Sequence, residues 1–275
     1  MSSHTIGPDE LAAVVRAPSA SDDKYSRGVV GLVVGSDAYP GAALLACDAA
    51  LSAGAGMVRL VSSAAAELVV LSARPEVVIT PGRVDALVVG CGMPSDDTPT
   101  VTNRLSRFPL RDTLPVVIDA AALASTPSIA GARILTPHRR ELAALARERG
   151  YSTADPHDQA LRLATEWDVV VYLKGSRSEV FTPEGLAYEL PDATPWLATA
   201  GTGDVLAGVM GALLAQQKKE TWSHAELARA AAVAGTIHAM AAQRVSSEAG
   251  GGSDGPIHAS ELGRGASAVI AQIVA

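Results

Sequence analysis

The residues with most chemical promise lie in one turn, Ala200-Gly201-Thr202-Gly203-Asp204, within LATAGTGDVLAGVMGALLA (197–215). Small residues at 200, 201 and 203 allow close approach to the backbone. Helical periodicity begins at once afterwards, so the turn aims the free N–H groups of a helix N-terminus outward. Such a terminus is an anion site. Asp204 falls in the first helical turn, beside that anion. An acidic residue there is also simply compatible with the helix dipole, and Gly-rich turns are common. The turn alone leaves both readings open.

Other polar strand ends carry weaker signals. Thr136-Pro137-His138 places an expected N-cap, a proline at N1 and a histidine in the first turn. That accounts for Thr136 and Pro137, but not for His138 or Glu141. Glu141 reads equally well as a solvated carboxylate on a helix face. Gly35-Ser36 through Gly41-Ala42 is a Gly-bounded loop entering a helix at about residue 41, and by itself is a plain βα turn. Gly90-Cys91-Gly92-Met93 ends a strand. Cys91 reads as a small buried residue and not a nucleophile, because no histidine adjoins it in sequence. Lys174-Gly175-Ser176-Arg177-Ser178 by itself is an exposed Lys-Gly turn.

The elements that must position these residues are legible as Val-rich runs. They are GVVGLVVGS (28–36), GMVRLVSS (56–63), DALVVGCG (85–92), LPVVIDA (114–120), ARILTP (132–137) and DVVVYLKG (168–175). Ala/Leu-rich stretches of helical length follow most of them. This alternation predicts a parallel sheet covered on both faces. Ligands of such sheets sit outside the carboxyl ends of the strands. One stretch breaks the pattern: SEVFTPEGLAYEL (178–190) reads as a hairpin turning at Pro183-Glu184-Gly185. Helical patterns follow at 203–217, 224–244 and 257–274, the last two separated by a loop at 246–256.

The bulk composition agrees. The chain has 275 residues, 48% of them hydrophobic, enough for one large α/β domain spanning 1–275. A net charge of −7 argues against a non-specific nucleic-acid binder. Two cysteines are too few for a disulfide scaffold and suit a reducing compartment. The N-terminus has no apolar signal core, and no apolar run reaches the length of a membrane span. The expected location is the cytoplasm.

Taken in order, the motifs resemble the ADP-dependent NAD(P)H-hydrate dehydratases of the ribokinase-like superfamily. The resemblance covers nearly all of 24–270. It rests on VVGSDAYPGAALLA (33–46), GAGMVRL (54–60), VVGCGM (88–93), VIDAAAL (117–123), LTPHRREL (135–142), LKGSRSEVF (173–181) and the AGTGDVLAG turn. It implies a three-layer α/β/α fold with a mainly parallel central sheet and a small hairpin. It also implies dehydration of the S epimer of NAD(P)H hydrate at the expense of ADP, with AMP and phosphate released.

The family pattern carries over residue by residue. Asp204 would be the catalytic base and a substrate contact. Gly41, Ala42, Gly92 and His138 would contact the hydrated nicotinamide nucleotide. Lys174, Gly175, Ser176, Arg177 and Ser178, with Gly201, Thr202 and Gly203, would hold the adenine nucleotide. Glu141 would orient water on a magnesium ion. Two departures stand out. Cys91 replaces a proline, and Ala121 stands where the family's Asp-Ala-Asp-Ala-Leu has its second acid. A homo-oligomer is expected by analogy, with the family's epimerase activity on a separate chain. The alternatives are a ribokinase-like kinase of a vitamin-precursor alcohol, such as a hydroxymethylpyrimidine or hydroxyethylthiazole, and a non-catalytic nucleotide-binding protein.

Overall fold

Strands form where the Val-rich runs lie, trimmed at their polar ends. The computed structural model describes residues 5–94 and 98–275. Six strands run parallel: β1 (Val29–Val33), β2 (Met57–Val61), β3 (Ala86–Val89), β4 (Pro115–Ile118), β5 (Ala132–Leu135) and β6 (Val170–Leu173). Every residue of β1, β3, β4 and β6 is buried. That is the signature of a parallel sheet covered on both faces. The expected hairpin follows as β7 (Glu179–Thr182) and β8 (Gly185–Glu189), pairing antiparallel at the β6 edge.

The helices are α1 (Pro8–Val14), α2 (Pro40–Ser52), α3 (Ala64–Ala73), α4 (Thr98–Leu105), α5 (Arg139–Glu148), α6 (Pro156–Trp167), α7 (Thr202–Gln217), α8 (His224–Ala249) and α9 (Leu262–Ile273). Alternation along the strands divides the core in two, as the strand period of two requires. Val30 and Leu32 join Val209 of α7 and Ile237 of α8 in one cluster. Val29 and Val33 join Leu142 of α5 and Leu163 of α6 in the other. The result is the three-layer α/β/α architecture. Helix α7 is apolar all round and buried continuously from Val205 to Gln216, so it sits between the sheet and outer helices.

The sheet order is β2-β1-β3-β4-β5-β6-β7-β8. The chain moves outward from β1 to β2, then returns to place β3 on the other side of β1. This reversal opens a crevice between the loops that follow β1 and β3. Those loops are pinned together: Gly35 N–H donates to the Cys91 carbonyl at 2.7 Å, and Ser36 Oγ donates to the Gly92 carbonyl at 2.8 Å.

Two local expectations are corrected. The N-cap of α5 is His138, not Thr136. Thr136 is buried at the end of β5, and its hydroxyl donates to the Ile118 carbonyl at 3.3 Å, so it is not free to cap. Helix α8 continues to Ala249, into the segment expected to be loop. Ser246 is fully buried, and its hydroxyl exchanges hydrogen bonds with the backbone of Gly255. That contact holds the last turn of the helix in place.

Candidate active site

Gly201 caps α7 with φ +90°, and a Cβ there would lie 2.5 Å from Leu45 Cδ1. Only glycine takes that conformation without strain in that space. Thr202 begins the helix, its hydroxyl donating to the Leu197 and Thr199 carbonyls at 3.0 Å each. The Thr202 N–H donates to the Thr199 carbonyl at 3.5 Å, while among the described residues the Gly203 and Asp204 N–H groups have no backbone acceptor and are the anion donors of the terminus. A Cβ on Gly203 would stand 3.7 Å from Lys174 Nζ and 3.9 Å from Asp119 Oδ2. The missing side chain leaves the helix terminus open to that pair.

Four charged residues from four elements meet there. Asp119 ends β4, Lys174 ends β6, Glu141 lies in the first turn of α5 and Asp204 in that of α7. Lys174 Nζ is 2.7 Å from Asp119 Oδ1 and 3.7 Å from Glu141 Oε2. Burial alone would lower the lysine's proton affinity, but the two carboxylates outweigh it and hold the ammonium above its ordinary value. Asp204 receives the opposite treatment. Burial, then the like charge of Asp119, pushes its carboxyl up to about 7, with Lys174 and a hydrogen bond from Cys91 pulling partly back. The Cys91 thiol lies 3.6 Å from Asp119 Oδ2 and is itself driven well above its usual value, chiefly by burial. It is a buried bridge between carboxylates and not a nucleophile.

His138 and Glu141 cap each other. His138 Nδ1 accepts from the Glu141 N–H at 3.1 Å, and Glu141 Oε2 accepts from the His138 N–H at 2.8 Å. This reciprocal capping box supplies the structural role that the sequence left without explanation. The Lys174 N–H donates to the Pro137 carbonyl at 2.9 Å, so the ends of β5 and β6 bring His138 beside Lys174. Among the described residues, no group of three His, Cys, Asp or Glu side chains could hold a metal ion. Glu141 nevertheless fits a magnesium ion carried on phosphate, since magnesium takes one or two carboxylates and retains waters. Its Oε2 is committed to the cap and to Lys174, while among the described residues Oε1 makes no hydrogen bond or ion pair.

Beyond this cluster opens a cavity of about 660 Å³, within the range of small-ligand sites. One side is the Lys174, Gly175, Ser176 and Ser178 loop; Thr202 and Gly203 form its floor and His138 its rim. Its apolar lining includes Leu190, Leu197, Leu206 and Ala239. Arg177 does not join them. Its guanidinium grips the exposed Asp192 at 2.9 and 3.1 Å.

Gly41, Ala42 and Gly92 lie at the switch-point crevice. Gly92 has φ +62°, and a Cβ there would come within 2.3 Å of Ala42 Cβ, so it lets the end of β3 dock on the first turn of α2. Gly41 is exposed with open space where a side chain would be. Asp204 bonds Cys91, the residue before Gly92, and follows Gly203 in the cavity floor. It therefore stands between the crevice and the cavity.

Three residues of this site were not among the sequence candidates. Asp119 had a usable signal, a carboxylate at the end of a Val-rich strand. Tyr172 and His238 had none, lying in apolar strand and helix patterns. Ala121, at the position of the family's second acid, packs against the second apolar cluster.

Comparison with known proteins agrees with this arrangement. The family model described as NAD(P)H-hydrate dehydratase matches residues 30–262. The chain is 42% identical over 219 residues to the bifunctional NAD(P)H-hydrate repair enzyme of Mycobacterium tuberculosis, covering 75% of this chain and 45% of that one. It thus spans about half the length of that relative. It is 35% identical over 231 residues to the ADP-dependent (S)-NAD(P)H-hydrate dehydratase of Xanthomonas campestris, covering 74% of this chain and 79% of that one. The crystal structure of the ADP/ATP-dependent NAD(P)H-hydrate dehydratase from Bacillus subtilis, co-crystallised with ATP and magnesium, superposes with a TM-score of 0.79 at 26% identity over 97% of both chains. The fold is ribokinase-like, and the chain belongs to the NAD(P)H-hydrate dehydratase family.

Proposed function

We propose that this protein dehydrates the S epimer of NADH or NADPH hydrate at the expense of ADP, releasing AMP and phosphate. The observation that carries the reading is the place of Asp204. Its carboxyl is raised to about 7 between an anion-binding cavity and a crevice bounded by small residues. A general base serves best with a proton affinity near the working pH.

In this reading ADP occupies the cavity, its terminal phosphate over the first turn of α7 and beside Lys174. The hydrate's ring lies in the crevice by Gly41, Ala42 and Gly92, within reach of His138. Hydroxide is a poor leaving group and phosphate a good one. Asp204 takes the hydroxyl proton as the oxygen attacks the terminal phosphoryl group, and AMP departs. The N–H groups at the start of α7 stabilise the charge on the transferring group. The ring nitrogen's electron pair then expels phosphate, and loss of the neighbouring proton restores the dihydronicotinamide. Magnesium, when bound, neutralises phosphate oxygens, and Glu141 is the carboxylate placed to hold its water. The R epimer has to be converted before it can react, which assigns that step to an epimerase. Among the described residues no helix is long and apolar enough to cross a membrane, and both cysteines are free and buried. These facts support a site of action in the reducing cytoplasm.

The test is turnover of chemically prepared NADH hydrate with ADP and magnesium, read as the return of NADH absorbance and the appearance of AMP. ADP-dependent return is expected, and Asp204→Asn should lower it by at least 10³-fold, the order of a lost general base together with its electrostatics. A variant with near-normal turnover would remove Asp204 from the mechanism. Formation of a stable phosphorylated alcohol from a vitamin precursor, with no hydrate turnover, would make the protein a kinase. Nucleotide binding without any turnover would make it a sensor.

A further inference from the structure

Cys91 is fully buried and does not line the nucleotide cavity. Its backbone is held from both sides. The Gly90 N–H donates to the Val33 carbonyl at 3.0 Å, the Cys91 carbonyl accepts from the Gly35 N–H at 2.7 Å, and the Met93 N–H closes the turn onto the Gly90 carbonyl at 3.2 Å. The two oxygens of Asp119 are divided between neighbours: Oδ1 is 2.7 Å from Lys174 Nζ, and Oδ2 is 3.6 Å from Cys91 Sγ. Cys91 also bonds Asp204. The contacts thus run in a line, Lys174 to Asp119 to Cys91 to Asp204, from the cavity to the reacting base.

A thiol carries one proton, and here burial and the two carboxylates keep it on sulfur. That proton can serve only one acceptor fully at a time. Asp119 already has Lys174 on its other oxygen, whereas among the described residues Asp204 makes no ion pair. An ionised Asp204 is therefore the stronger acceptor, and a donor on it fixes which way its carboxylate faces. Once Asp204 is protonated, the Asp119 oxygen is the anion left beside the thiol. The charged groups around the sulfur are Asp119, Asp204 and Lys174, with Glu141 of α5 behind the lysine. A proline, which the family pattern has at this position, offers no donor, so the arrangement belongs to this chain.

We infer that Cys91 is a positioning residue of the reaction: its thiol holds the ionised Asp204 carboxylate by a hydrogen bond and turns to Asp119 when Asp204 has taken the substrate's proton. The sulfur keeps its own proton throughout, so no covalent bond to it forms or breaks. The inference rests on the reading of Asp204 as the base.

The test is the pH-rate profile of NADH-hydrate turnover with ADP for the unsubstituted protein, Cys91→Ala and Cys91→Ser. A hydrogen bond to a carboxylate favours its ionised form, so its loss in Cys91→Ala should move the acid limb up by about 0.5 to 1 pH unit. Plateau kcat should fall about ten-fold as the base loses its fixed orientation. KM for ADP should stay within about two-fold, because Cys91 does not line the cavity. Cys91→Ser restores a donor and should return the limb to its original position or below. A limb that does not move in Cys91→Ala, or that moves alike in the alanine and serine variants, overturns the inference and leaves Cys91 a packing residue. The infrared S–H stretching band reads the thiol without turnover, with Cys91 separated from Cys47 by difference against Cys91→Ala. The band should rise in frequency on acidification through about pH 7, where Asp204 titrates, and should stay fixed in Asp204→Asn. A band insensitive to pH in the unsubstituted protein, or one that still shifts in Asp204→Asn, also overturns the inference. Absence of hydrate turnover in the unsubstituted protein overturns the proposed reaction, a result distinct from these, since the band still reports whether the thiol serves both carboxylates.

Discussion

Asp204 and Asp119 are two carboxylates in one partly dry site, and their environments push them to different tasks. Asp119 is paired with Lys174 at 2.7 Å; among the described residues Asp204 makes no ion pair, and it is raised to about 7, first by burial and then by Asp119. The sign of the pH dependence follows. Asp204 accepts a proton only when ionised, so kcat/KM should fall about ten-fold per pH unit below about 7 and level off above it. Three groups among the described residues bear on that limb: Asp119 from the end of β4, Lys174 from β6 and Cys91 from the end of β3. Asp119→Asn removes the like charge and frees the Lys174 ammonium, and both changes favour ionised Asp204. The acid limb should therefore move to lower pH by on the order of one unit. A pH-rate profile of the variant checks this, and a limb that stays put or moves up would mean that Asp119 does not set the base. None of this coupling was legible in the sequence. Lys174 and Asp119 are 55 residues apart, and only the docking of β4 and β6 on either side of β5 brings them together.

The elements show where sequence patterns suffice and where they stop. Parallel strands buried on both faces need no alternation, so β1, β3, β4 and β6 stand out as unbroken Val-rich runs. Their polar ends were counted as strand in the sequence but serve as site, which is why the observed strands are shorter. The glycine turn was legible because both the missing side chains and the start of helical periodicity are local. Capping of α5 was not, because Thr136 is the better cap by type yet spends its hydroxyl on Ile118. The α7 cap yields a contrast that isolates backbone geometry from mere loss of glycine. Gly201→Ala forces a Cβ into the left-handed region at φ +90°, 2.5 Å from Leu45 Cδ1. It should cost about 2 kcal/mol of stability and weaken ADP binding as the first-turn N–H groups shift. Gly41→Ala in the first turn of α2 meets open space and should change stability by less than about 0.5 kcal/mol. Denaturant unfolding of the two variants checks the pair. Equal effects would mean that the Gly201 turn is not the constrained point of the site.

At the scale of the molecule, the cavity gathers residues that are remote in sequence. His138 comes from the start of α5, Lys174 from the end of β6, Thr202 and Gly203 from α7 and His238 from the middle of α8. No single unit of the fold holds the site, since α7 packs on α2, α8 and the sheet while α5 and α6 cover the opposite face. Loss of any layer dissolves it, so a nucleotide that binds there binds the folded chain and not the unfolded one. Linkage then fixes the size of the effect: ADP at about 100 times its dissociation constant should add about 2.7 kcal/mol to the unfolding free energy. Asp204→Asn keeps Lys174, the glycine turn and the cavity wall, so it should retain most of this gain while losing turnover. The denaturant midpoint with and without ADP, in both proteins, separates binding from chemistry. A gain lost in Asp204→Asn would mean that the carboxylate helps hold the nucleotide, and the division between a binding cavity and a reacting base would have to be redrawn.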